Sequence, residues 1–160
     1  GEIGHTTIDV AGPKCSCGNY GCFEALASEK ALVNNVVKRI KEGSYSVISE
    51  YVNGDLENIT TRLVYKAAEE GDEVALSELN KIAIYLGIGI ANIVNVFSPE
   101  LVLISGGIVR ARSFIEDVVL ETIKKRSFEG NYSSCGIVFS NPDYNTALMG
   151  ISNIILDSIL

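Results

Sequence analysis

Ser98-Pro99-Glu100-Leu101-Val102-Leu103-Ile104-Ser105-Gly106-Gly107-Ile108 sets four consecutive branched apolar residues between a proline and a glycine pair. A run this short, apolar at every position, reads as a parallel-type strand buried on both faces. Pro99 closes the helical pattern before it, and Gly106-Gly107 turns the chain into a helix expected from about Arg112 to Lys125. A second strand at Ile137 to Ser140 and a terminal helix from about Tyr144 to Ile159 continue the alternation. Strand, helix, strand and helix in this order make a crossover unit, so the fold class is α/β.

Upstream of the strand the periodicity is helical. The longest helix is expected from about Glu73 to Phe97, capped by Asp72, with Leu86-Gly87-Ile88-Gly89-Ile90-Ala91-Asn92-Ile93 apolar nearly all round and therefore buried. Gly87, Gly89 and Ala91 would let another element approach closely. A shorter helix capped by Thr60 or Thr61 runs to Glu70 and is ended by Gly71, and residues 44–60 read as a turn-rich excursion around Asn53-Gly54-Asp55. Phe23, Leu26 and Ala27, then Ala31, Leu32, Val36, Val37 and Ile40, recur at helical spacing, with Ser28 as a cap between two pieces and Gly43 as a stop. Thr6 to Val10, rich in β-branched residues, reads as a short strand entering the Gly12-Pro13 turn.

The segment from His5 to Cys22 carries the most specific chemistry. His5 is the chain's only histidine, and Cys15, Cys17 and Cys22 are three of its four cysteines. Cys₃His is a closed tetrahedral ligand set of structural zinc, with no position left for a catalytic water. Gly18 and Gly21 let the backbone turn so that Cys22 can join the Cys15-x-Cys17 pair. The competing reading is ordinary cysteines with an occasional disulfide. A Cys-x-Cys bridge would be strained, however, and a bridge from Cys22 to Cys135 would leave an odd pair. Cys135, ahead of Gly136-Ile137-Val138-Phe139, reads as a small buried hydrophobe.

Composition bounds the rest. With 160 residues, 47% of them hydrophobic, the chain is long enough for one domain with its own core. A net charge of −7 argues against this chain gripping a phosphate backbone. The apolar stretch nearest to a membrane span, Ile82 to Phe97, is short and holds Asn92 and Asn95, so no membrane partner is expected. Thiols arranged for metal rather than for disulfides point to the cytoplasm. The opening on Gly1-Glu2-Ile3-Gly4-His5, with no initiator methionine, reads as an excised segment of a longer protein.

Two further groups of residues are candidates for ligand contact. The backbone amides of Gly106 and Gly107, at the junction of strand and helix, could face a nucleotide phosphate or base, although a glycine pair there is also simply a tight turn. Glu2 and Glu24 each lie within three residues of a metal ligand, so the loop would hold them in place. Ordered carboxylates of this kind can accept paired hydrogen bonds from vicinal sugar hydroxyls. Alternatively, Glu24 is a helix-start residue facing the positive end of the dipole and Glu2 an exposed residue.

Gly1-Glu2-Ile3-Gly4-His5 followed by Cys15-x-Cys17-Gly18-x-x-Gly21-Cys22-x-Glu24 resembles the signature of the ROK family of repressors, open reading frames and sugar kinases. Ser98 to Ile108 resembles that family's second block, and Ala147 to Gly150 fits its end, so the resemblance covers essentially the whole chain. It implies an actin-like ATPase fold with ribonuclease H-like lobes, of which residues 1–160 would be the C-terminal lobe with an inserted zinc loop (residues 5–24) and helices. It also implies structural zinc on His5, Cys15, Cys17 and Cys22, sugar hydroxyls on Glu2, His5 and Glu24, and nucleotide contact at Gly106 and Gly107. The kinases of the family usually carry three successive glycines where this chain has Ser105-Gly106-Gly107. Their catalytic aspartate and phosphate loop lie upstream of the Gly-Glu-Ile-Gly-His block, so no catalytic residue is assigned in this chain.

Two functions follow from the resemblance. One is the sugar-binding effector region of a transcriptional repressor, homodimeric or larger, which would touch DNA only through a separate N-terminal domain. The other is the C-terminal lobe of an ATP-dependent hexose kinase. His5-Thr6-Thr7-Ile8-Asp9, Ala27-Ser28-Glu29-Lys30-Ala31-Leu32 and Ser105 look more like members of the xylose-repressor type, which favours the first.

Overall fold

The structure is a computed structural model that describes residues 1–140. The terminal helix expected over 144–159 and the match at Ala147 to Gly150 lie outside the described residues.

Behind Cys22 the chain forms helix α1 (Phe23–Ala27) and then α2 (Glu29–Lys41). The break between them is Ser28, whose extended backbone leaves the first helix and whose Oγ accepts from the Ala31 N–H at 3.1 Å, starting the second. α2 ends at Gly43, as expected of a glycine at positive φ. The excursion that follows is more ordered than its composition suggests, holding α3 (Ile48–Tyr51) and a 3-10 turn at Leu56–Asn58. Thr60 caps α4 (Thr61–Glu69), and Asp72 caps α5 (Glu73–Phe97) through a 2.8 Å bond from the Ala75 N–H. Asp72 also accepts from the Val47 N–H at 2.9 Å, so one cap residue ties the excursion to the long helix.

α5 is the axis of the core. α1, α2, α4 and a later helix, α6 (Arg112–Arg126), all pack against it. The small residues in its second half work as expected, since the Phe23 ring lies on Gly89 and the Thr122 side chain on Gly87. Of the stretch expected to be buried, Gly87, Gly89, Ile90 and Ala91 are buried, whereas Leu86, Ile88 and Ile93 are half-buried and Asn92 is exposed among the described residues. By length and composition α5 could cross a bilayer, contrary to the sequence reading. Its flanks are instead taken by other helices, and it carries Glu78, buried and bonded to Arg39 and Lys81 at 3.1 and 2.6 Å.

Strand β1 (Leu101–Ile104) pairs in parallel with β2 (Gly136–Phe139), Leu101 opposite Gly136 and Ile104 opposite Phe139. Between them run a 3-10 turn at Gly107–Ala111, α6, and a short helix α7 (Glu129–Ser133) that the sequence did not announce. The crossover unit is therefore present. Burial on both faces is not: Ile104 and Phe139 enter the core, whereas Leu101 and Leu103 are 58% and 46% exposed among the described residues. Cys135 is half-buried at the core margin rather than fully enclosed.

Candidate metal centre and adjoining carboxylates

The strand expected at Thr6 to Val10 is replaced by a turn. The amides of Ile8 and Asp9 both donate to the Gly21 carbonyl, at 2.9 and 3.3 Å, and the Asp9 carboxylate bends the chain by accepting from the Ala11 N–H at 3.0 Å. Only an isolated bridge, Thr7 to Cys22, retains the extended pairing. Gly21 has φ +63°, and a Cβ there would run into the Asp9 carbonyl, so this crossing of two backbones needs glycine.

That crossing brings the candidate ligands together from three directions. His5 ends a 3-10 turn (Ile3–His5) fixed by the Thr6 N–H and hydroxyl, both donating to the Ile3 carbonyl at 3.1 and 2.7 Å. Cys15 and Cys17 sit on a tight turn in which the Cys15 N–H donates to the Asn19 carbonyl (2.7 Å) and the Gly18 N–H to the Cys15 carbonyl (3.0 Å). Cys22 stands at the start of α1, where the Phe23 N–H donates back to the Thr6 carbonyl at 2.9 Å.

The four donor atoms lie within 4.8 Å of one another. A zinc ion with bonds of about 2.3 Å to sulfur and about 2.05 Å to nitrogen would, at tetrahedral angles, hold two sulfurs about 3.8 Å apart and a sulfur and a nitrogen about 3.6 Å apart. Cys17 Sγ and Cys22 Sγ are separated by 3.7 Å, and Cys15 Sγ and His5 Nδ1 by 3.6 Å. A disulfide is excluded for Cys17 and Cys22, because bonded sulfurs approach to about 2.05 Å. All four cysteines are free. The hydrogen bond to the Cys17 backbone lowers the Cys15 thiol to about 6, while burial and the neighbouring sulfurs push Cys22 up to about 11. Crowded sulfurs that resist joint ionisation are the donor set a divalent cation converts into thiolates.

Nδ1 is the ring nitrogen turned toward Cys15, which leaves Nε2 on the other edge of the His5 imidazole. Glu24, in the first turn of α1, rests against Gly4, whose absent Cβ would lie 3.6 Å from its Oε2. Glu2 immediately precedes the same 3-10 turn and is exposed. The structure thus gathers the candidate metal ligands within 4.8 Å of one another and sets Glu2 and Glu24 on the elements that carry them. Gly106 and Gly107 stand elsewhere, at the end of β1, where Gly107 meets the carboxylate of Glu29. Neither that contact nor the Tyr85 hydroxyl bond to Asp9 has a local sequence signal, since each joins residues 76 or more positions apart.

The family model described as ROK family matches residues 1–158. The chain belongs to the ROK family. Among its ROK relatives, the xylose repressor of Caldicellulosiruptor bescii is 34% identical over 161 residues, covering 100% of this chain and 40% of the repressor. A crystal structure of a ROK family transcriptional regulator, a homologue of the Escherichia coli MLC protein, matches with a TM-score of 0.78 at 35% identity, over 92% of this chain and 36% of that one. The ROK hexokinase of Thermus thermophilus matches with a TM-score of 0.74 at 26% identity, over 94% of this chain and 46% of the hexokinase. The chain spans about two fifths of the length of the curated relatives it matches. The fold is that of the actin-like ATPases, as the motifs implied.

Proposed function

We propose that this chain is the effector-binding C-terminal region of a ROK transcriptional repressor of carbohydrate metabolism, stabilised by structural zinc on His5, Cys15, Cys17 and Cys22. The observation that supports the reading is the clustering of His5 with the three cysteines, His5 Nδ1 lying 3.6 Å from Cys15 Sγ, together with Glu24 resting against Gly4, the residue before His5. Zinc, when bound, supplies charge neutralisation and a fixed tetrahedral anchor. Glu2 and Glu24 would then accept hydrogen bonds from adjacent hydroxyls of a sugar and the His5 Nε2–H donate one, and the rigid loop lowers the entropy lost on binding. The repressor name of the similar C. bescii protein supports the regulatory reading and makes D-xylose the first sugar to test.

DNA contact belongs to another part of the protein, in keeping with the net charge of −7 here. A homodimer or larger homo-oligomer in the cytoplasm is the expected assembly. Sugar and operator are coupled by linkage, so each changes the affinity of the other by the same factor. The test is operator binding by the full-length protein with and without D-xylose, repeated with Glu24→Gln. A sugar-dependent change in operator affinity of at least ~5-fold, lost in the variant, supports the assignment. Operator binding indifferent to every monosaccharide tried sinks it. The likeness to the T. thermophilus hexokinase favours a second reading, the lobe of a sugar kinase, which ATP-dependent phosphorylation of a hexose by the full-length protein would establish.

A further inference from the structure

The crevice beyond the carboxyl end of a parallel strand is where open α/β sheets bind ligands, and a glycine turn there lets phosphate approach the backbone. Gly106, at φ +92°, and Gly107 form that turn after β1. The space beside the Gly107 Cα is taken. Both carboxylate oxygens of Glu29, the first residue of α2, lie where a Gly107 side chain would begin.

Glu29 is held in that position. The Tyr65 hydroxyl, from the buried face of α4, donates to Glu29 Oε1 at 2.9 Å. Burial and this bond push the Tyr65 phenol well above its ordinary value, so it stays a donor. Tyr65 also lines a cavity of about 460 Å³ with Arg62, Lys66, Glu69 and Arg110, a wall with three cations against one carboxylate. Without Glu29, these surroundings would attract a polyphosphate. With it, an incoming phosphate meets a fixed carboxylate at the point of closest backbone approach.

We propose that Glu29 is a specificity-determining residue that occupies the glycine turn after β1 and keeps nucleotide phosphates out of it. The turn is retained as a structural connection while its ligand position is filled from within the chain. This stands whether or not a sugar binds at Glu2, His5 and Glu24, and its readout is separate from theirs.

The experiment is titration of the full-length protein with Mg-ATP, by calorimetry or with a fluorescent ATP analogue, for the parent sequence, Glu29→Ala and Glu29→Gln. The parent should bind weakly or not at all. Glu29→Ala, which removes charge and bulk, should bind at least ~10-fold more tightly, and Glu29→Gln, which keeps the shape and can still accept from Tyr65, should fall between them. Zinc content and sugar affinity should be unchanged in both variants. Tight Mg-ATP binding by the parent, or no gain in either variant while the melting temperature and zinc content stay at parental values, overturns the proposal. Should Glu29→Ala not fold, the comparison of parent with Glu29→Gln decides on charge alone.

Discussion

The Tyr85 hydroxyl donates to Asp9 Oδ2 over 3.1 Å, tying the middle of the longest helix to the loop that carries the candidate metal ligands. Asp9 is also the residue whose other carboxylate oxygen accepts from Ala11 and whose carbonyl lies against Gly21. The bond therefore braces the backbone crossing that assembles His5 with the three cysteines. Tyr85→Phe removes one hydrogen bond and leaves the packing of the ring, so the expected loss of stability is about 0.5–1.5 kcal/mol. The more telling readout is zinc release to a chelator, which should be faster than in the parent. Release at the parental rate would show that the loop holds its shape without the brace.

Metal content separates the four cysteines. Cys17→Ser should lose zinc and lower the melting temperature on the order of 10 °C, since the free energy of metal binding is folding free energy here. Cys135→Ser, at the core margin and far along the chain from the cluster, should keep a full equivalent. Elemental analysis of the two purified variants checks both statements, and full metal in Cys17→Ser would refute the ligand assignment.

Four tyrosines each donate to a carboxylate: Tyr45 to Glu50, Tyr51 to Glu70, Tyr65 to Glu29 and Tyr85 to Asp9. All four phenols are raised, Tyr51 to about 12 chiefly by its bond to Glu70, and Tyr65 and Tyr85 chiefly by burial. A phenol raised in the folded state contributes stability that is complete below the ordinary value of about 10 and is lost as pH climbs through the folded value. The folded protein should therefore develop phenolate absorbance at higher pH than the urea-unfolded chain, with stability falling over the same window. Superimposable titrations of the two states would contradict this.

Glu78 tests which side of a buried ion pair matters. Glu78 is 1% exposed, whereas Arg39 and Lys81, its two partners, both reach solvent. Glu78→Gln leaves two cations that water can take up, so a cost of about 1–2 kcal/mol is expected. The double change Arg39→Ala and Lys81→Ala strands the carboxylate and should cost about 3–5 kcal/mol. Urea denaturation of both variants gives the order, and the reverse order would mean that water reaches Glu78 freely.

The helix caps, which depend on neighbours in the chain, were legible in the sequence. Ser28, Thr60 and Asp72 cap their helices because an N-cap bond spans three residues, and that spacing is visible in the sequence. The parallel pair of strands was read correctly, while among the described residues only Ile104 and Phe139 of that pair enter the core. An apolar run shows that a strand suits burial without saying which element covers each face, and among the described residues Leu101 and Leu103 are left uncovered. Thr6 to Val10 failed as a strand for a related reason. β-Branched residues favour extended backbone only weakly, and the Asp9 carboxylate and the Gly21 carbonyl overrode them.

The sequence by itself determined the family, the fold class and the identity of the cluster, since His5, Cys15, Cys17 and Cys22 are distinctive in type and spacing. Tertiary structure alone decided that His5 turns Nδ1 toward the sulfurs, that Tyr85 braces Asp9, and that Glu29 fills the turn at Gly107. The physical reason is range. Capping and ligand spacing are fixed by covalent geometry over a few residues, whereas a ring orientation or a carboxylate against a distant glycine is set by how separate elements pack, and no local pattern in the sequence encodes it.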